Sequence, residues 1–230
     1  MHKYTGFFIT GTDTGIGKTY IARLVADCFA AQRRTTYMKP VQTGCSQGPQ
    51  GILKAPDFDA VMEGNAMMKG TYEQHVPYRF EPACSPHLAA ALAGITISLE
   101  HIRNCFTAIA TTMDLTLVEG AGGILSPLGE TTFIIDLIVY LNLPAIVVTT
   151  PRLGTLNHTF LTLRVLHESG VRVAGIVLNH VSNEPASYIH HENLRMIEAH
   201  THPTPFLEVP FGSCDNQNLK DFCSAVTKQF

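Results

Sequence analysis

The stretch that most constrains the fold extends from Gly6 to Ala30 and has the sequence GFFITGTDTGIGKTYIARLVADCFA. An apolar segment at 6–10 precedes a glycine-rich turn, and apolar side chains then recur at helical spacing over 18–32. The backbone N–H groups of such a turn can point at one anion, and the following helix adds the positive end of its dipole. The GKT at the junction predicts a P-loop, in which the Lys18 ammonium reaches phosphates and the Thr19 hydroxyl binds Mg²⁺.

This loop departs from the usual pattern G-x-x-x-x-G-K-[ST] at its first position. Thr12 stands where the first glycine belongs, and Gly11 lies one residue early. The alternative interpretation is a glycine turn that happens to precede a helix. The phosphate interpretation is favoured, because the strand, the loop and the GKT occur together and the cradle depends mainly on the later residues Gly15 and Gly17.

Further apolar segments of strand length recur along the chain, at 35–41, 114–120, 144–150, 171–181 and 204–211. Helices are predicted at 131–141, at 156–169 and from about Gln217. Continuous β-branched segments are typical of strands that are buried on both faces. We therefore expect an α/β fold of the P-loop NTPase type, with a mostly parallel open sheet flanked by helices. Ligands of such sheets bind beyond the carboxyl ends of the strands.

Length and composition add few constraints. At 230 residues, one domain covering 1–230 is expected, with residues 44–86 as active-site loops that include one short helix near Asp59 to Gly64. A net charge of −3 gives no general attraction to nucleic acid or to anionic membranes. The start of the chain lacks the apolar region of a signal peptide, and the cysteines form no C-x-x-C pair. A cytoplasmic protein with reduced thiols is expected, without a nucleic-acid or membrane partner.

Polar residues follow several of the predicted strands. Lys39 and Thr43 follow the second strand, where a lysine could also be a solvated strand end. Glu119 ends an apolar strand, and an acid is costly to bury there unless it meets a cation, for which Mg²⁺ beside a P-loop is the obvious candidate. Asp57 and Asp59 each qualify as the residue that completes a site for a hard cation.

Six motifs in order along the chain resemble those of the dethiobiotin synthetase family: GTDTGIGKT, KPVQTG, EPACSPH, VEGAGG, LGTLNH and IVLNHV. The match covers about residues 7–181, and any one motif alone would indicate only a P-loop. The resemblance implies an ATP- and Mg²⁺-dependent homodimeric enzyme of biotin biosynthesis. Such an enzyme converts 7,8-diaminononanoate and CO₂ to dethiobiotin through a carbamate and a carbamic-phosphoric anhydride.

The resemblance also implies roles for individual residues. It makes Lys18 and Lys39 the catalytic residues. It implies metal ligands at Thr19, Glu119 and Asp59, with Asp57 an open alternative. The implied substrate contacts are Thr14, Lys39, Thr43, Gly122 and Asn157. Of these, Asn157 would reach the substrate of the neighbouring subunit. The implied nucleotide-binding residues are Gly15, Ile16, Gly17, Lys18, Thr19, Tyr20, Glu119, Gly120, Ala121, Gly122, Asn179, Pro210, Phe211 and Gly212.

Two other functions are compatible with a P-loop. Another member of the superfamily, which amidates or ligates a different acid or amine, would keep Lys18, Thr19 and Glu119 but would differ in KPVQTG and LGTLNH. A partition or regulatory ATPase commonly carries an additional lysine early in the loop, and residues 11–14 contain none. Whether the nucleotide preference is for ATP, for CTP or broader stays open.

Overall fold

The protein is described by a computed structural model over residues 6–63, 65, 67–183 and 187–228. In chain order, its strands and helices are β1 (Gly6–Gly11), α1 (Lys18–Ala30), β2 (Thr35–Met38), β3 (Val41–Gln42), β4 (Ser46–Gln47), β5 (Leu53–Lys54), α2 (Pro56–Met62), α3 (Tyr72–His75), β6 (Tyr78–Arg79), α4 (Pro86–Leu92), α5 (Leu99–Ala110), β7 (Leu115–Glu119), α6 (Ile134–Leu141), β8 (Ala145–Thr149), α7 (Thr155–Glu168), β9 (Val173–Asn179), α8 (Tyr188–Thr201), β10 (Phe206–Val209) and α9 (Asn216–Thr227).

The main sheet has six parallel strands in the order β10-β9-β8-β1-β7-β2. Alternate residues of β1 face opposite layers, so that Phe7 packs towards α1 and α9 while Phe8 packs towards α5, α6 and α7. Burial on both faces accounts for the continuous apolar composition of the strands. The predicted parallel open sheet with flanking helices is confirmed, and its central strand leads into the glycine-rich loop.

The predicted strand at 35–41 is wrong in its second half. The strand β2 ends at Met38, and Lys39 and Pro40 separate it from the short β3. Proline has no N–H to give to a ladder, so it interrupts the strand there. The chain consequently turns at Lys39, and this turn brings the lysine to the end of the sheet beside β7.

Several element limits also differ from the prediction. The helix predicted at 131–141 begins only at Ile134, because the backbone N–H of Phe133 donates to the Asp136 carboxylate (2.7 Å) and caps it. The short helix expected near Asp59 to Gly64 is α2, which begins earlier, with Pro56 in its first turn. Gly64 lies outside the described residues.

The segment 44–86 has more regular structure than the loops and single helix that its composition predicts. It contains a 3-10 turn at Pro49–Gly51, the helix α3 and the short strands β4, β5 and β6. The helices α4, α5 and α8 were also not predicted. Within the part of the chain that the structure describes, no helix has the length and apolar character that a membrane span requires.

Candidate active site

The glycine-rich loop after β1 depends on two glycines with left-handed backbone conformations. Gly15 has φ of 72° and Gly17, which caps the start of α1, has φ of 84°. A Cβ on Gly17 would also collide with the Asn179 side-chain amide. Asn179 ends β9 and donates from Nδ2 to the carbonyl oxygen of Ile16 (2.9 Å), so it ties the loop to a second strand end.

Thr12, at the position of the missing first glycine, does not need a left-handed conformation. Its N–H donates to the carbonyl oxygen of Val148 (3.0 Å), and its hydroxyl donates to Thr149 Oγ1 at 3.4 Å. The hydroxyl of Thr149 is itself within hydrogen-bonding distance of Thr155 and Thr159 (3.0 and 2.8 Å) at the start of α7. The threonine therefore anchors the beginning of the loop to β8 while the later glycines form the turn.

Lys18 is buried at the start of α1, and its ammonium donates to the carbonyl oxygen of Asp13 (2.8 Å) within the loop. Burial, with a smaller contribution from the positive charge of Lys39, lowers the pKa of Lys18 to about 8. A bound phosphate would supply the opposite charge that this ammonium lacks. The position of Lys18 is therefore suited to binding an anion.

The Glu119 carboxylate, at the end of β7, accepts hydrogen bonds from three side chains although it is only 1% exposed. Its Oε1 accepts from Thr19 Oγ1 (2.9 Å) and from Lys39 Nζ (2.6 Å). Its Oε2 accepts from the hydroxyl of Tyr37 (2.7 Å), which is fully buried in β2. Burial and then the charge of Glu119 raise the pKa of Tyr37 well above its usual value, so this phenol stays protonated.

Lys39 lies between two carboxylates. Its ammonium donates to Glu119 at 2.6 Å, to Asp57 Oδ2 at 2.8 Å and to the carbonyl oxygen of Gly120 at 3.2 Å. Burial lowers the pKa of Lys39, but the charges of Glu119 and Asp57 outweigh burial, and the pKa lies above its usual value. Lys39 is therefore a buried, permanently charged cation and not a solvated strand end.

The two candidate aspartates at the start of α2 have different neighbours. Asp57 contacts Lys39 and lines the same pocket as Lys18 and Glu119. Asp59 accepts a hydrogen bond from the hydroxyl of Tyr72 (2.6 Å) and does not line that pocket. The structure thus brings Asp57 to the other predicted metal ligands and does not bring Asp59 there.

A pocket of about 410 Å³ opens between the loop, β2, β7 and α2. It is lined by Thr14, Gly15, Gly17, Lys18, Thr19, Lys39, Val41, Gln42, Thr43, Asp57, Glu119, Ala121 and Gly122. Most of the residues that the sequence predicts for phosphate, metal and substrate therefore meet at one place. A neighbouring cavity of about 470 Å³ shares Thr14 with this pocket and extends along α7 to His158 and Leu161.

Other predicted residues lie outside this pocket. Ile16 is buried beneath the loop, Tyr20 is partly exposed on α1, and Gly120 contributes its carbonyl oxygen behind Lys39. Asn157 is exposed on α7 and is not brought to the pocket of its own chain. The segment Pro210–Gly212 follows β10, three strands away from β1 in the sheet.

The sequence reasoning missed Tyr37, Val41 and Gln42. Val41 and Gln42 line the pocket, and the motif KPVQTG that contains them was the available signal. Tyr37 had no such signal, because a tyrosine in an apolar strand is usually a core residue. A further cavity, of about 680 Å³, lies beyond β8 and β9 and is lined by Arg152, His180 and His190 among others. It contains none of the predicted residues.

The oxygen atoms of the pocket suit Mg²⁺. A threonine hydroxyl and two carboxylates, from Thr19, Glu119 and Asp57, are hard ligands, and Mg²⁺ is commonly held by one or two carboxylates together with substrate phosphates. Within the described residues, no three His, Cys, Asp or Glu side chains form a group that could hold a metal ion. A phosphate of the nucleotide, which the adjacent glycine loop is placed to position, could add a further ligand.

Solved structures that resemble this fold include a plasmid partition protein and a ParA family ATPase. A plasmid partition protein from Borrelia burgdorferi matches with a TM-score of 0.61 at 8% identity, covering 99% of this chain and 100% of that chain. A ParA family ATPase from Chlorobium tepidum TLS matches with a TM-score of 0.54 at 15% identity, covering 99% and 93%. At such low identities, these likenesses concern the fold alone.

The sequence comparisons are more specific. A family model described as "AAA domain" matches residues 5–213. The chain is 41% identical over 207 residues to the ATP-dependent dethiobiotin synthetase BioD of Anoxybacillus flavithermus, covering 89% of this chain and 91% of the relative. It is 36% identical to the protein of the same name from Aeromonas hydrophila, with 89% and 90% covered. With this identity over nearly its whole length, the chain belongs to the ATP-dependent dethiobiotin synthetase family.

Proposed function

We propose that this protein catalyses the ATP-dependent closure of 7,8-diaminononanoate and CO₂ to dethiobiotin. The observation that carries the proposal is that Lys18, at the end of the glycine loop, and Lys39 lie in the same pocket. Lys39 forms ion pairs with two carboxylates. Phosphoryl transfer needs positioning and charge neutralisation, and two cations in one pocket are suited to that task.

In the proposed reaction, one amine of the substrate adds to CO₂ and loses a proton to give a carbamate. A carbamate oxygen attacks the γ-phosphorus of ATP, the bond to the β-phosphate oxygen breaks, and ADP leaves. The second amine then attacks the carbamoyl carbon, and phosphate departs as the five-membered ring closes. Lys18 and Lys39 offset the charge on the phosphoryl oxygens during transfer.

We propose Thr19, Glu119 and Asp57 as the residues that hold Mg²⁺ with the nucleotide. Mg²⁺ would supply charge neutralisation of the phosphate oxygens when it is bound. Asp59, which the family resemblance favoured, stays a prediction that the geometry does not support, because its carboxylate does not line the pocket and accepts a hydrogen bond from Tyr72 instead. The chain's own part is to present three oxygen ligands on rigid strand and helix ends.

The nucleotide base is proposed to contact Asn179. Its Nδ2 is engaged by Ile16, whereas its buried Oδ1 has no hydrogen-bond partner among the described residues. A buried acceptor without a partner is costly, and an exocyclic amino group would satisfy it. Adenine and cytosine both carry such a group, which is why both nucleotides belong in the first assay. Pro210, Phe211 and Gly212 remain proposed contacts at the end of β10.

A cytoplasmic homodimer with one domain per chain completes the proposal. Its support is the position of Asn157, which is exposed on α7 and outside the pocket of its own chain. Two large apolar side chains on the same side, Leu125 and Leu161, are 55% and 57% exposed at the adjacent cavity. A second copy packed there would cover them and would bring its Asn157 towards the substrate.

The test is phosphate release by the purified protein with ATP or CTP and Mg²⁺, with and without 7,8-diaminononanoate plus bicarbonate. Release that requires both the diamine and bicarbonate, together with a product of the mass of dethiobiotin, is expected. Phosphate release that ignores the diamine would instead favour a general nucleotide hydrolase and would overturn the proposal.

A further inference from the structure

Tyr37 occupies an unusual position for a strand tyrosine. Its side chain is fully buried in β2, and its ring lies near that of Phe58, with centroids 6.3 Å apart. Its hydroxyl is shielded from solvent and donates to Glu119 Oε2 at 2.7 Å. The phenol is thus a neutral donor that contacts the acid proposed to hold Mg²⁺, without itself lining the pocket.

Because of this hydrogen bond, the two oxygen atoms of Glu119 have different partners. Oε2 is held by Tyr37 on the side of the sheet core, and Oε1 faces Thr19 and Lys39 on the side of the pocket. A carboxylate with one oxygen fixed cannot turn about its Cγ–Cδ bond without losing that hydrogen bond. Residues that orient a metal-binding carboxylate in this way affect metal affinity although they never touch the metal.

We propose that Tyr37 is a positioning residue that fixes the Glu119 carboxylate for Mg²⁺ binding. The inference rests on the proposed function only in that Glu119 is taken as a ligand of the nucleotide-bound Mg²⁺. A purely structural tyrosine would affect folding stability but not the Mg²⁺ affinity of the folded protein. The two roles are therefore separable by experiment.

The variant that tests the proposal is Tyr37→Phe, which keeps the ring and removes only the hydroxyl. The matched control is Tyr72→Phe, because Tyr72 also donates a hydroxyl to a carboxylate, that of Asp59 (2.6 Å), which does not line the pocket. Mg²⁺ binding would be measured by calorimetric titration in the presence of a non-hydrolysable ATP analogue. Binding of the analogue without Mg²⁺ would be measured in parallel.

We expect Tyr37→Phe to weaken Mg²⁺ binding roughly 10- to 100-fold, as is typical when a partner of a ligating side chain is lost. Affinity for the analogue without Mg²⁺ should stay unchanged, and Tyr72→Phe should bind Mg²⁺ like the wild type. Equal Mg²⁺ affinity in Tyr37→Phe and wild type would overturn the inference. Since no turnover occurs in this titration, a wild type that fails to convert the diamine would count against the proposed function alone.

A second measurement covers the case in which Tyr37→Phe does not fold. The seven tyrosines can be replaced by 3-fluorotyrosine in the wild-type sequence, and the fluorine resonance of Tyr37 assigned by elimination with Tyr→Phe variants at the other positions. Addition of Mg²⁺ to the analogue complex should shift this buried resonance, because its hydrogen-bond acceptor becomes a metal ligand. A resonance that stays in place would contradict the inference.

Discussion

Nucleotide binding by this protein should take up protons above neutral pH, because burial makes Lys18 an unusually weak base. Its pKa is lowered to about 8 by burial and by Lys39, and among the described residues its ammonium donates to the backbone oxygen of Asp13 in the loop. Phosphate oxygens would stabilise the charged form and raise this pKa on binding. Binding therefore favours the protonated lysine, and the sign of the linkage is proton uptake.

The magnitude follows from the titration of one group. With a free-state pKa of about 8, Lys18 is about half deprotonated at pH 8, so binding should take up about 0.5 protons there and about 0.1 at pH 7. Apparent affinity should fall about tenfold between pH 7 and pH 9, since only the protonated fraction is competent. The terminal phosphate of the nucleotide contributes little, because phosphate monoesters lose their last proton near pH 6.

The assay is calorimetric binding of a non-hydrolysable ATP analogue at pH 8 in two buffers whose ionisation enthalpies differ. The difference between the two apparent enthalpies gives the number of protons taken up. Lys18→Arg is the control, because a guanidinium stays charged over this pH range and should bind without uptake. Identical enthalpies for the wild type in both buffers would refute the assignment of a lowered pKa to Lys18.

Three further predictions concern the other charged groups of the site and one buried histidine next to it. Lys39→Ala should lower turnover on the order of 10²-fold while nucleotide affinity changes much less; turnover close to that of the wild type would remove Lys39 from the chemistry. Asp57→Asn should weaken Mg²⁺-dependent binding of the nucleotide whereas Asp59→Asn should not, and the reverse order in a Mg²⁺ titration would restore the expectation drawn from the family. His75 is buried behind Lys39 and burial lowers its pKa, so its contribution to stability is present above pH about 6.5 and is lost as pH falls below that value. In urea unfolding, the free energy of unfolding of His75→Asn should therefore decrease less on acidification than that of the wild type. Parallel pH profiles of the two proteins would exclude His75 as the cause.

The parallel sheet was predictable because its strands carry a strong local signal. Continuous apolar segments of this length, such as 144–150, are typical of strands that are buried on both faces, and the observed β8 lies within that segment. The helix α5 was missed although its signal was present. Ile102, Phe106 and Ile109 are buried at helical spacing, and Ser98 caps its start by accepting from the N–H of His101.

The candidate site was predictable only in part, because sequence motifs identify residues that follow strands but not the contacts between them. Lys39 and Glu119 come from neighbouring strands of the sheet, and their proximity follows from strand order, which the sequence alone does not give. The choice between Asp57 and Asp59 depends on which side of α2 faces β2. Two residues apart on one helix, they point in different directions, and only the folded chain shows which one meets Lys39.

The opposite pKa directions of the two lysines explain how four charged groups can share one pocket. Lys39 contacts both Glu119 and Asp57, so its charge is compensated before any ligand arrives, and burial does not discharge it. Within the described part of the chain, the hydrogen-bond acceptor of Lys18 is a backbone oxygen and not a carboxylate, so burial prevails and its pKa decreases. The two carboxylates are thus balanced by Lys39, which stays charged, and by Lys18, which loses its proton more easily. The phosphates are therefore needed to stabilise the charge of Lys18. For this reason, the pH dependence of nucleotide binding should reflect the titration of Lys18 and not that of Lys39.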